Sequence, residues 1–101
     1  MMRHYQRVVC ADGFTMSVQA SSYNYCSPRI DNADFYSSVE VGFPSALDSR
    51  LQEYAEDPNA VLDVERGQVL TVYPYVPVSV IAAVIQSHGG QVGGELPPTQ
   101  A

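Results

Sequence analysis

Apolar and polar residues alternate most clearly along Ser38-Val39-Glu40-Val41-Gly42-Phe43, which predicts a half-buried strand carrying Val39, Val41 and Phe43 inward. A shorter alternation on either side of Asp12-Gly13 predicts a hairpin over Arg7 to Val18, because that dipeptide tolerates the positive φ of a two-residue turn. Pairing across such a turn sets Ala11 opposite Phe14 and Val9 opposite Met16. With Val18 these make one apolar face, and Val8, Cys10, Thr15, Ser17 and Gln19 share the other. Val61 to Val64 and Val69 to Tyr73 flank Glu65-Arg66-Gly67-Gln68 as a second hairpin would, with Pro74 ending the last strand or keeping it at a sheet edge.

Helical spacing occurs in two places. Leu47, Leu51, Tyr54 and Ala55 recur on one side of a segment that Ser45 could cap, with Asp48 at the capping-box position and Asp57-Pro58 as the stop. Pro77 suits the first turn of a second helix, in which Val80, Ile81, Val84 and Ile85 form a stripe widened by Ala82 and Ala83. Gly89-Gly90 after His88 offers its left-handed cap. That stripe exceeds one sheet contact, so the helix is buried on two sides or pairs with a second copy in a homodimer. The fold class is therefore α+β: a small, mostly antiparallel sheet, made of the N-terminal hairpin plus further strands, with two helices packed on it. Residues 1–90 form a single domain, and 91–101, with Pro97-Pro98 and little apolar content, read as a flexible C-terminal tail.

Between these elements, Ser21 to Phe35 runs about fifteen residues without a period, a length that compact domains keep mainly for binding or movement. Tyr23, Tyr25 and Arg29 lie in it, with Asp31 close by. Tyrosine and arginine combine contact area with a polar tip, as interfaces and ligand pockets require. Tyr73 and Tyr75, on either side of Pro74, either join that surface or pack structurally.

The chain has 101 residues, enough for one core, and carries a net charge of −6 with 46% hydrophobic residues. All its basic side chains are arginines. Broad contact with nucleic-acid phosphates needs a basic face, so direct nucleic-acid binding is not expected. Asp48, Glu53, Glu56 and Asp57 belong to a carboxylate-rich run offset by Arg50, either a solvated helix face or an acidic docking surface for a basic protein. Val76 to Ile85 is about half the length of a membrane-crossing helix, and Met1 to Cys10 lacks the apolar core of a secretion signal. A cytoplasmic protein with no membrane partner is expected, its cysteines Cys10 and Cys26 reduced.

Little points to a reaction. His4, Cys10, Cys26 and His88 lack the paired spacing of a zinc site, and no glycine-rich phosphate loop or nucleophile elbow is present. Cys26 sits near Arg29, which would favour a thiolate, but neither histidine stands in a recognisable context as its base. A non-enzymatic protein without a cofactor is the expectation, with a Cys26-based hydrolase as the remote alternative.

Val8-Val9-Cys10-x-Asp12-Gly13-Phe14, Tyr25-Cys26-x-Pro28-Arg29, Val39-Glu40-Val41-Gly42-Phe43-Pro44-Ser45 and Val72-Tyr73-x-Tyr75-Val76-Pro77-Val78 together resemble small proteins of tailed phages and prophages over residues 8–90. The resemblance implies a phage accessory role in the host cytoplasm and brings no functional residues with it. Joined to the composition, it gives a first expectation of an inhibitor that docks on a host defence or nucleic-acid-processing protein. The second is a small-ligand binder that sequesters a nucleotide signal, with Arg29 on phosphate and Tyr23 or Tyr25 stacking on the base.

Overall fold

The computed structural model describes residues 3–99. Strands β1 (Val8–Cys10) and β2 (Thr15–Gln19) form the expected hairpin, but Val8 faces Met16 and Val9 faces Thr15. The turn explains this shift of register. Gly13 donates its N–H to Cys10 O over 3.0 Å and Cys10 donates to Phe14 O over 2.8 Å, so Ala11, Asp12 and Gly13 make a three-residue loop. Gly13, at φ 95°, takes the left-handed position that follows the turn. One additional turn residue reverses the facing of β1, so Val8 and Cys10 are buried and Val9 lies on the outer face.

β3 (Ser38–Gly42) adds to β2 with Val39 and Val41 fully buried, as the alternation predicts. Phe43 departs from that prediction. Its φ of 50° turns it out of the strand, and it is exposed. β4 (Leu62–Asp63) and β5 (Gln68–Val69) form the second hairpin as a separate two-stranded ribbon. β6 (Val72–Pro77) then joins β3 at the edge of the main sheet, where the missing N–H of Pro74 is tolerated.

The structure contains one α-helix rather than two among the described residues: α1 (Val78–Ser87). Its end follows the glycine signal closely. Gly90 N–H reaches Ile85 O and Gly89 N–H reaches Gln86 O, the paired bonds of a Schellman cap. The helix expected over 45–57 is a series of turns with one short 3-10 segment, Gln52–Tyr54. Its capping groups serve distant partners instead. Ser45 exchanges bonds with Thr15, its Oγ accepting the Thr15 N–H, and Asp48 turns inward to His88. Leu51 is fully buried, whereas Leu47, which helical spacing would have placed beside it, is exposed.

Residues 91–99 are packed against the fold and do not form the expected loose tail; Gln100 and Ala101 lie outside the described residues. β7 (Gln91–Gly93) pairs with β1, Pro97 is buried, and Tyr36 N–H donates to Pro98 O. Low apolar content is no obstacle here, because the segment is held by backbone bonds and close approach. A Cβ on Gly94 would stand 2.0 Å from Arg7 O, and its φ is 80°.

The main sheet thus has the antiparallel order β6-β3-β2-β1-β7, and α1 carries the chain from one edge to the other. Ile81 and Val84 of α1 close the core over Val8, Met16, Val18, Val39, Val41 and Val76. No helix among the described residues is long and apolar enough to cross a membrane.

Candidate functional site

The segment 21–37 is a tightly bonded loop that sends Cys26, Ala33 and Tyr36 into the core and satisfies many of its backbone groups with side chains. Glu40 organises one end from the outer face of β3, accepting the Tyr25 N–H on one carboxylate oxygen and the Asn24 amide on the other. Asp31 accepts the Ser22 N–H at 2.9 Å, and that bond is the main reason its carboxyl lies below the usual range. Buried Tyr36 donates its hydroxyl to Ile30 O and accepts the Ala33 N–H, pinning the far end.

Cys26 is also interior. Its thiol contacts Ser21 O at 3.3 Å, and burial pushes its pKa up despite the opposing influence of Arg29. Cys10 is likewise buried, and both cysteines are free. The Arg29 effect anticipated from sequence is present, but desolvation outweighs it.

With its interior occupied in this way, the loop turns other side chains outward. Tyr23 is 76% and Tyr25 41% exposed, and the Arg29 guanidinium carbon lies 4.9 Å from the Tyr25 ring centre. Tyr75 arrives from β6. Its N–H donates to Tyr25 O at 3.0 Å, and the two rings are 5.9 Å apart at an angle of 44°. Tyr25, Arg29 and Tyr75 therefore form one cluster, joining residues fifty positions apart.

Tyr73 does not belong to it. Val41 faces Tyr73 and Val39 faces Val76, so β6 contains one more residue than β3 between these pairs. The bulge points Tyr73 and Val76 inward and leaves Tyr75 outside at φ 53°. Tyr73 is a core residue, 1% exposed, whose burial raises the pKa of its hydroxyl. Asp31 also works within the loop, on Ser22, rather than beside Arg29 in the cluster.

The carboxylates divide similarly. Glu53 is exposed on the short 3-10 segment and Glu56 and Asp57 on the bend after it, not together on an α-helix face. Asp48 is buried against His88 and is no part of an acidic surface. Sequence reasoning missed Glu40 as the organiser and missed Ile30 and Phe35, exposed apolar side chains of the same loop. Glu40 had a visible signal: it is the charged residue of the clearest strand, on the face opposite Val39 and Val41.

Two shallow depressions lie elsewhere on the surface. One, of about 530 Å³, runs between α1 and β7 past Ile85, Gly89 and Leu96; the other, of about 330 Å³, lies between Arg50 and α1. Neither is lined by Arg29 or the tyrosines. Among the described residues, no group of three or more His, Cys, Asp or Glu side chains is placed to hold a metal ion. Compared with protein-family models, with curated proteins and with solved structures, the chain matches none of them.

Proposed function

We propose that this chain is a non-enzymatic binding protein whose working surface is the Tyr25, Arg29 and Tyr75 cluster, flanked in sequence by Tyr23. One observation carries the reading: in an acidic chain, Arg29 is exposed, rests on an aromatic ring, and enters no ion pair among the described residues. The other arginines have oxygen partners. Arg3, Arg50 and Arg66 pair with Glu95, Asp48 and Asp63, and Arg7 bonds to Thr15 and the Phe43 carbonyl. A guanidinium held over tyrosine can make directed bonds to a carboxylate at little ordering cost, because the loop beneath is already fixed.

The partner is a macromolecule rather than a nucleotide, a choice supported by the exposure of Tyr23, Tyr25, Arg29 and Tyr75, which suits a surface contact better than a ligand enclosed over most of its area. Following the resemblance to small phage proteins, that partner is a host defence or nucleic-acid-processing protein, and binding inhibits it. Glu53, Glu56 and Asp57 supply a second, acidic contact for such a protein.

A photo-crosslinking residue placed at position 23, exposed beside the cluster and not one of its three members, in protein expressed in bacteria tests this reading. Crosslinking to one defined protein from position 23, and not from exposed Val64 next to the separate hairpin, is the expected result. Equal labelling from both positions contradicts it.

A further inference from the structure

A second cluster of titratable side chains surrounds His88, the C-cap residue of α1. His88 Nδ1 is 2.7 Å from Asp12 Oδ2, and Nε2 is 2.9 Å from Asp48 Oδ2. Phe14 lies flat on the imidazole, with centroids 4.0 Å apart and planes 9° from parallel, which restrains the ring from turning. Three segments distant in sequence meet here: the β1–β2 turn, the 43–51 loop and the helix end. Both ring nitrogens are engaged, so neither is free for a metal or a substrate.

A carboxylate only accepts hydrogen bonds, and a neutral imidazole has a single N–H. Both contacts are therefore hydrogen bonds only while the ring carries two protons. The two carboxylates differ in what they do without a donor. Asp12 has a side chain 50% exposed, so its Oδ2 can take a water as donor while Oδ1 keeps the Phe14 N–H at 2.9 Å, whereas the Asp48 side chain is 4% exposed. Leaving a buried acceptor unsatisfied is the more unfavourable outcome.

We propose that Asp12, His88 and Asp48 form a proton-operated latch that opens at its Asp12 side, not its Asp48 side, when the imidazole loses one proton. The proton on Nδ1 passes to solvent, the one on Nε2 stays on the ring and is donated to Asp48 Oδ2, and the freed Nδ1 lone pair faces Asp12 and repels it. The hairpin tip then keeps the Phe14 stack on the ring and its backbone bonds to the helix end, Asp12 N–H to His88 O and Ala11 N–H to Gly90 O.

The surrounding groups leave this order unchanged. Arg50 touches Asp48 Oδ1 with its own N–H at 2.8 Å and its guanidinium at 3.7 Å, which reinforces the buried side. Cys10 faces Asp12 and Tyr73 faces Asp48, both with pKa values raised, first by burial and then by those carboxylates, so both remain neutral while histidine titrates. Burial alone would lower the His88 pKa, but the hydrogen bonds and charges of Asp12 and Asp48 together outweigh it and raise the value.

Long-range ¹⁵N–¹H NMR of the full chain from about pH 5 to about pH 9 tests the latch, with His4→Gln assigning the two histidines. The expected result is a His88 midpoint above the ordinary value of about 6.5, and above that midpoint a neutral ring protonated on Nε2. Asp12→Asn should lower the midpoint and keep the Nε2–H tautomer. A neutral ring protonated on Nδ1, a midpoint at or below the ordinary value, or a midpoint unmoved by Asp12→Asn would overturn the proposal.

Discussion

The backbone N–H of Tyr75 donates to the carbonyl of Tyr25, and that bond ties the edge of the sheet to the loop that presents Arg29. It exists because β6 bulges. Tyr75 stands at φ 53°, a conformation that non-glycine residues adopt at a cost of about 1 kcal/mol and β-branched residues at more.

Tyr75→Gly should therefore be as stable as the parent, or more stable by up to about 1 kcal/mol, while losing partner binding. Tyr75→Val should lose about 1–2 kcal/mol, since a β-branched side chain fits that backbone poorly. Urea unfolding of both variants checks this. A glycine variant less stable than the valine variant would show that the ring, not the backbone, holds the bulge.

The legible parts of the fold were those governed by local chemistry. Val39 and Val41 alternate without interruption, and the cap of α1 is encoded by adjacent Gly89 and Gly90; both appear as read. The β1–β2 register was not legible, because Asp12-Gly13 serves a two-residue turn and the end of a three-residue turn equally well. The helix over 45–57 failed for a different reason. Ser45 and Asp48 have the right spacing for a capping box, yet Thr15 and His88 recruit them across the fold, a competition that no local window contains. At the candidate site, Tyr25 and Arg29 were found by loop length and composition, whereas separating Tyr73 from Tyr75 required the bulge.

Gly94→Ala should lose about 2–4 kcal/mol, because its methyl group would collide with Arg7 O in a backbone already at positive φ. Gly90→Ala is the control: its φ is also positive at 96°, but nothing stands within 4 Å, so a loss of about 1 kcal/mol is expected. Chemical denaturation of the pair measures the difference. Equal losses would show that residues 95–99 dock without the close approach of Gly94 to β1.

Stability should pass through a maximum between about pH 5 and about pH 6.5. Asp12, Asp31 and Glu95 are held below their ordinary values, chiefly by the N–H groups of Phe14, Ser22 and Gln6. The folded chain therefore binds fewer protons than the unfolded one in acid, and this stability is lost as pH falls through the folded values. His88 is displaced upward, so its contribution is complete below about 6.5 and disappears as pH rises through its folded value. Urea midpoints at several pH values should show both declines, and His88→Gln should flatten the alkaline one. Stability that continues to rise to about pH 8 would contradict this assignment.

The central claim is tested most directly by measuring affinity and melting together on Arg29→Ala and Tyr25→Ala, using the partner identified by crosslinking. Both side chains lie outside the core on a loop fixed by Glu40, Asp31 and Tyr36, so each variant should unfold within about 0.5 kcal/mol of the parent. Each should lose about 1–3 kcal/mol of binding, the range for interface anchors. Loss of stability with undiminished affinity in the surviving folded protein would contradict the account and make the cluster a structural element of the loop.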